Sequence, residues 1–153
     1  MTQEEKNLLL KELCARLPYG VKISPKEKDT GEYDEKSGSN YMYPDVISVE
    51  AFIPDGDNAR IEYEDWIIYL DNIQLYLRPM ESMTEEEKEE LNDAIHEDFK
   101  LARVAVIEND VTKATSGFNK IDWLNAHHFD YRGLIPMGLA IAVTEENNPY
   151  KKK

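Results

Sequence analysis

An α+β fold is what this sequence predicts: an N-terminal helix, a small antiparallel β-sheet or SH3-like barrel, and C-terminal helices packed against it. Three observations carry that expectation. A capped, leucine-rich stretch opens the chain at residues 2–17. Short β-branched and aromatic runs, separated by turn residues, fill 19–78. A second capped stretch, with apolar residues every three or four positions, occupies 84–130. One domain over 1–153 accommodates all three, with a final strand at 139–143 and a frayed tail at 147–153.

The first helix is written at its start. Thr2 followed by Glu5 is a capping-box spacing, in which each residue bonds the other's backbone N–H. Leu9, Leu10, Leu13, Cys14 and Leu17 then recur on one broad face, and Pro18 ends the run because the residue before a proline avoids helical angles. Cys14 lies inside this apolar stripe and reads as core. A nucleophilic thiol needs an electropositive setting, which Lys11 and Arg16 do not establish.

Tyr19-Gly20 turns the chain into a strand at 21–24. Residues 25–40, PKEKDTGEYDEKSGSN, have no apolar period and predict a long surface loop. DVISVEAFI at 45–53 predicts a strand, PDGDN at 54–58 a turn, and 60–63 the returning strand. Trp66 to Leu70 is a continuous apolar run and reads as a buried strand. Ile73, Leu75 and Leu77 alternate after a turn at Asp71-Asn72. Asp55 and Asp57 around Gly56 resemble a calcium loop only superficially, since its twelfth position, which should be a bidentate glutamate, is Trp66.

Thr84 and Glu87 repeat the capping box, with Glu85 and Glu86 at the positive end of the helix dipole. Leu91, Ile95, Phe99 and Ala102 predict a helix reaching residue 104. His96 stands in HEDFK, without the second histidine of HExxH, and reads as a surface or boundary residue. A loop follows over 109–117. Phe118, Ile121, Leu124 and His128 share one face of a last helix, with Trp123 at its edge.

The net charge of −13, from 31 acidic and 18 basic residues, repels phosphates and so disfavours direct nucleic-acid binding and anionic membranes. The first residues, MTQEE, are acidic where a secretory signal would be basic, and the longest apolar runs are too short to span a bilayer. A single cysteine excludes an internal disulfide and a Cys-rich zinc site. These features predict a cytoplasmic protein.

NAHHFDYRG, residues 125–133, holds the only metal candidates: His127, His128 and Asp130. Adjacent helical residues point about 100° apart, so the two imidazoles do not converge on one ion. A polar lock accounts for more of the segment. Asp130 accepts backbone N–H groups in a turn, Arg132 donates its fork to Asp130, Asp122 or the helix-end carbonyls, and Gly133 supplies a positive φ.

LLLKELCARLPYGVKI (8–23), YLRPMESMTEEE (76–87) and IDWLNAHHFDYRGLIPMGLAI (121–141) resemble a family of small uncharacterised proteins of gut Bacteroides-type bacteria and their phages or mobile elements. The likeness covers both ends and the join between the β and helical parts, but not residues 25–65. No activity is assigned to that family, so the resemblance transfers no catalytic residues. It implies an intracellular bacterial or phage protein and a setting suited to host interaction.

No phosphate loop, dinucleotide fingerprint or nucleophile elbow is present. The expectation is therefore a non-catalytic interaction or accessory protein, without cofactor, whose partner is another protein. Tyr41, Tyr43, Trp66, Tyr69 and Tyr76 supply anchors for an interface, with Trp66 expected in the core. The alternatives are a metal-dependent hydrolase or nuclease using the HHFD segment, and an acidic decoy for a nucleic-acid-binding protein of phage or host.

Overall fold

A computed structural model describes residues 1–56, 58–108 and 119–151. The loop expected over 109–117, Phe118, Asp57 of the turn cluster, the side chains of residues 102 and 104–108 and the last two residues of the tail lie outside that description. The architecture is α+β, as the sequence predicts. It divides into two compact units, Met1–Leu77 with Arg132–Lys153, and Arg78–Tyr131.

In the first unit, α1 spans Gln3–Arg16. Its capping box is complete: Thr2 Oγ1 accepts from Glu5 N at 3.1 Å, and Glu5 Oε2 accepts from Thr2 N at 2.7 Å. Pro18 stands in a single 3₁₀ turn, Leu17–Tyr19, that closes the helix. The buried face of α1 is not the one the leucines alone suggest. Leu9 and Leu13 are buried, but so are Glu12 and Arg16, whereas Cys14 is exposed. The expected core position of Cys14 is thus corrected. The buried stripe runs 9, 12, 13, 16, which turns residue 14 outward.

Nine strands follow among the described residues: β1 Lys22–Pro25, β2 Asp29–Asp34, β3 Ser39–Met42, β4 Ile47–Ser48, β5 Ile53–Asp55, β6 Asn58–Tyr63, β7 Trp66–Tyr69, β8 Ile73–Leu77 and β9 Ala140–Ala142. They form a four-stranded sheet in the order β4-β1-β8-β9, a β2-β3 pair and a three-stranded sheet β5-β6-β7. The pairings are antiparallel except β9, which joins the edge of β8 in parallel. β8 lies inside its sheet, and Ile73, Leu75, Tyr76 and Leu77 are all buried. The core joins Ile73, Leu75 and Leu77 to Leu9, Leu13, Val21, Ile23, Ile47, Ile61, Ile68 and Leu134.

Residues 25–40 are not a loop throughout. β2 and β3 make a hairpin there, held by Asp29, which accepts from Gly31 N at 2.7 Å and from Asn40 Nδ2 at 2.9 Å. Its side chains are almost all solvated, so no apolar alternation marks it, while the ladder uses backbone groups that every residue carries. The strand expected over 45–53 is broken into β4 and the start of β5, with a non-strand link between. β7 is not wholly buried either. Ile68 is 1% exposed but Ile67 is 44% and Tyr69 43%, the alternation of a sheet with one wet face.

The expected frayed tail is also tied down. Tyr150 Oη donates to Tyr76 O at 2.8 Å and accepts from Lys22 N at 3.2 Å, and Asn147 bonds Ala142 O.

In the second unit, α2 spans Glu85–Glu108, longer than the predicted end at 104, and α3 spans Asn119–Ala126. Thr84 and Glu87 form the expected reciprocal bonds, at 3.2 and 2.9 Å. Asp98 of α2 caps α3: its carboxylate accepts from Asn119 N, Asn119 Nδ2 and Lys120 N at 2.8, 3.1 and 3.0 Å. A small core of Met83, Leu124 and Phe129 is flanked by Leu91, Trp123 and Tyr131. Ile95 and Phe99, expected on the buried stripe, are 44% and 67% exposed. His96 is exposed. No helix among the described residues is long and apolar enough to cross a membrane.

Candidate functional site

The segment 125–133 is first of all a helix terminus. His128 N donates to Asn125 O at 3.1 Å and Phe129 N to Leu124 O at 3.0 Å, the paired bonds of a Schellman motif. The residue that such a motif places in the left-handed region is His128, at φ 58. His128 therefore lies beyond α3, not on its face with Leu124, and is buried. Gly133 carries the positive φ expected of it, 77.

His127 points into a layered stack. Its ring lies on Trp123 with centroids 4.0 Å apart, and Trp123 lies parallel to Phe129 at 5.7 Å. The Arg78 guanidinium lies over the Phe129 ring, 4.1 Å from its centroid. Arg78 also forks onto Glu87, at 2.7 and 2.8 Å, and this pairing holds the Glu87 carboxyl below its ordinary range. Trp123 Nε1 donates to Glu90 at 3.1 Å, and His127 Nδ1 meets Trp123 O at 2.8 Å. A carbonyl can only accept, so that ring nitrogen carries the hydrogen. Asp130 N donates to Arg78 O at 2.8 Å. These residues are joined in packing, and the described residues contain no group of three His, Cys, Asp or Glu placed to hold a metal ion.

Arg132, in the first unit, has a partner the local reading does not contain. Its Nε stands 2.5 Å from Glu12 Oε1. Arg16 holds Oε2 of the same carboxylate, through Nη2 at 2.7 Å and Nε at 3.2 Å.

The first unit also carries a cleft of about 600 Å³ lined by Val46, Ile47, Ser48, Glu50, Ala51, Ile53, Glu62, Tyr63 and Glu64. Apolar Val46 and Ile53, 39% and 37% exposed, share it with three carboxylates. Glu62 and Ile67 are cross-strand partners, as are Arg60 and Tyr69, and Ile53 pairs with Arg60. The row Ile53–Arg60–Tyr69 therefore lies on one wet face of the sheet, beside Glu62 and Ile67.

Tyr63 of the cleft pairs across the hairpin with Trp66, which brings the aromatic cluster next to it. Trp66 meets Tyr41 at 5.6 Å and Tyr43 at 6.0 Å. Of the five anchors, Tyr43 and Tyr76 are core, while Tyr41 and Tyr69 are exposed. Trp66 is half-buried and packs against the core from its margin, so its expected place in the core is corrected.

No local pattern announces the cleft. Glu50, Glu62 and Glu64 are ordinary surface glutamates until β6 returns beside the segment after β4. Compared with protein-family models, with curated proteins and with solved structures, the chain matches none.

Proposed function

We propose that the protein is a non-catalytic interaction or accessory protein, acting in the cytoplasm, whose partner is another protein. The observation that carries this reading is the cleft of about 600 Å³ in the first unit, where exposed Val46 and Ile53 lie among Glu50, Glu62 and Glu64. Apolar walls supply burial to a docking segment, and carboxylates at the rim select its charge. Trp66 and Tyr41, in ring contact at 5.6 Å, add residues favoured as interface anchors to the same unit. The chain's net charge of −13 speeds encounter with a basic partner.

The test is affinity capture from a host lysate with the wild-type chain and with Glu50→Lys/Glu62→Lys. A protein retained by the first and lost by the second supports the reading. Capture of nothing above background, or of the same proteins by both, overturns it. Competition by DNA for a captured protein, weakening steeply with salt, would instead favour the acidic decoy.

A further inference from the structure

Three aromatic rings and two carboxylates meet where the β2–β3 hairpin lies against the start of β7. Trp66 is tilted 46° to Tyr41, with centroids 5.6 Å apart, and Tyr43 meets it edge-on at 84° and 6.0 Å. Glu32 accepts from Trp66 Nε1 at 3.2 Å, which fixes the indole while leaving a full negative charge at its edge. Tyr43 Oη donates to Ile67 O at 3.4 Å, so that ring is also held in place. Glu32 and Asp34 alternate onto one face of β2. Neither forms an ion pair with a described lysine or arginine.

The local field is negative enough to be felt by the phenols. Tyr41 is harder to ionise, first because of Asp34, and Tyr43 first because of burial and then because of Glu32. Electron-rich ring faces attract a cation, Trp most strongly, and a neighbouring carboxylate adds to that attraction.

We propose that Trp66, Tyr41 and Tyr43, edged by Glu32 and Asp34, form a recognition site for one lysine or arginine side chain of the protein partner. The choice of partner rests on the interaction reading above; the chemistry of the site does not. A guanidinium or ammonium laid on Trp66 and Tyr41 would have two carboxylates within reach and would lose little hydration, because Tyr41 is 42% exposed. Affinity for a single side chain is expected to be weak and to serve selection more than tightness.

The test uses the full chain and the indole N–H signals of its two tryptophans, Trp66 and Trp123, followed by nuclear magnetic resonance. N-acetyl-arginine amide is the probe, and N-acetyl-citrulline amide is its neutral isostere, at constant ionic strength. The expected result is a saturable shift of the Trp66 signal with arginine, binding about two- to fivefold weaker with citrulline, and loss of the response in Tyr41→Ala. Glu32→Gln should weaken it further. No saturation, equal response to citrulline, or an unchanged response in folded Tyr41→Ala overturns the proposal. A captured partner that depends on Glu50 and Glu62 while Trp66 stays silent would overturn this site alone. Arginine binding without any captured partner would leave the site standing and overturn the interaction reading.

Discussion

Arg132 sets its Nε 2.5 Å from Oε1 of Glu12, a carboxylate with no exposed surface. Arg16, equally buried, holds the other oxygen from the next turn of α1. One anion thus lies between two guanidiniums on the core face of a helix whose other buried residues are leucines. Removing one member of a buried pair leaves an uncompensated charge, which costs far more than the pair contributes net. Glu12→Ala should lower stability by about 3–5 kcal/mol. Replacing both neighbours on the helix, Glu12→Leu with Arg16→Met, should recover most of that loss. Urea denaturation of the two variants checks the ordering, and equal stabilities would refute it.

Asp98 does for α3 what an N-cap does from within a helix, but from a different helix. Asp98→Ala frees two backbone donors and one side-chain donor and should cost about 1–2 kcal/mol, the upper range for a lost cap. Faster amide exchange at Asn119 and Lys120 would report it, and Asp98→Asn should fall between the two.

Tyr150 gives the chain an alkaline limit. Burial pushes its phenol up to about 12. The folded state favours the neutral form, so its stabilising contribution is complete below the ordinary tyrosine value of about 10 and is lost as pH rises through about 12. Ultraviolet titration of the nine tyrosines should show a phenol ionising near pH 12 that is absent in Tyr150→Phe. The variant should also lose less stability than wild type over that window.

Glu64, at the first turn position between β6 and β7, has φ 52. A non-glycine residue there carries about 1 kcal/mol of backbone strain, and its side chain is exposed. Glu64→Gly should raise Tm by about 2–4 °C for a chain of this size. Calorimetry decides it, and a lowered Tm would mean that the Glu64 side chain contributes more than its backbone costs.

Cys14 is exposed, yet burial of part of its environment raises the thiol above its ordinary value. One equivalent of Ellman's reagent should therefore react without denaturant, more slowly than free cysteine at pH 8, because the thiolate is the reacting form. A thiol that reacts only after unfolding would restore it to the core.

Much of the fold was legible wherever a bond closes within a few residues. Both capping boxes, the break at Pro18 and the left-handed Gly133 are local, since each needs only neighbours that the chain itself supplies. The α+β class followed from the change of apolar period along the chain. The β2–β3 hairpin was not legible, because its side chains are solvated on both faces and its ladder uses groups common to all residues. Cys14 was misplaced because apolar spacing counts leucines and cannot see that Glu12 has a partner. Of the candidate site, the aromatic residues were visible as types; their division into core Tyr43 and Tyr76 and surface Tyr41 and Tyr69 was not.

The sequence by itself determined where α1 and α2 begin, where α1 ends, and the α+β class, because the helix signals are carried by residues three or four apart. Only the tertiary structure decided that Arg132 answers Glu12, that Asp98 caps α3, that Tyr150 anchors the tail, and that three glutamates and two apolar side chains surround one cleft. The reason is physical. A buried charge or an open cleft is defined by groups far apart in sequence, and their free energy exists only once folding has taken them from water and set them a few ångströms apart.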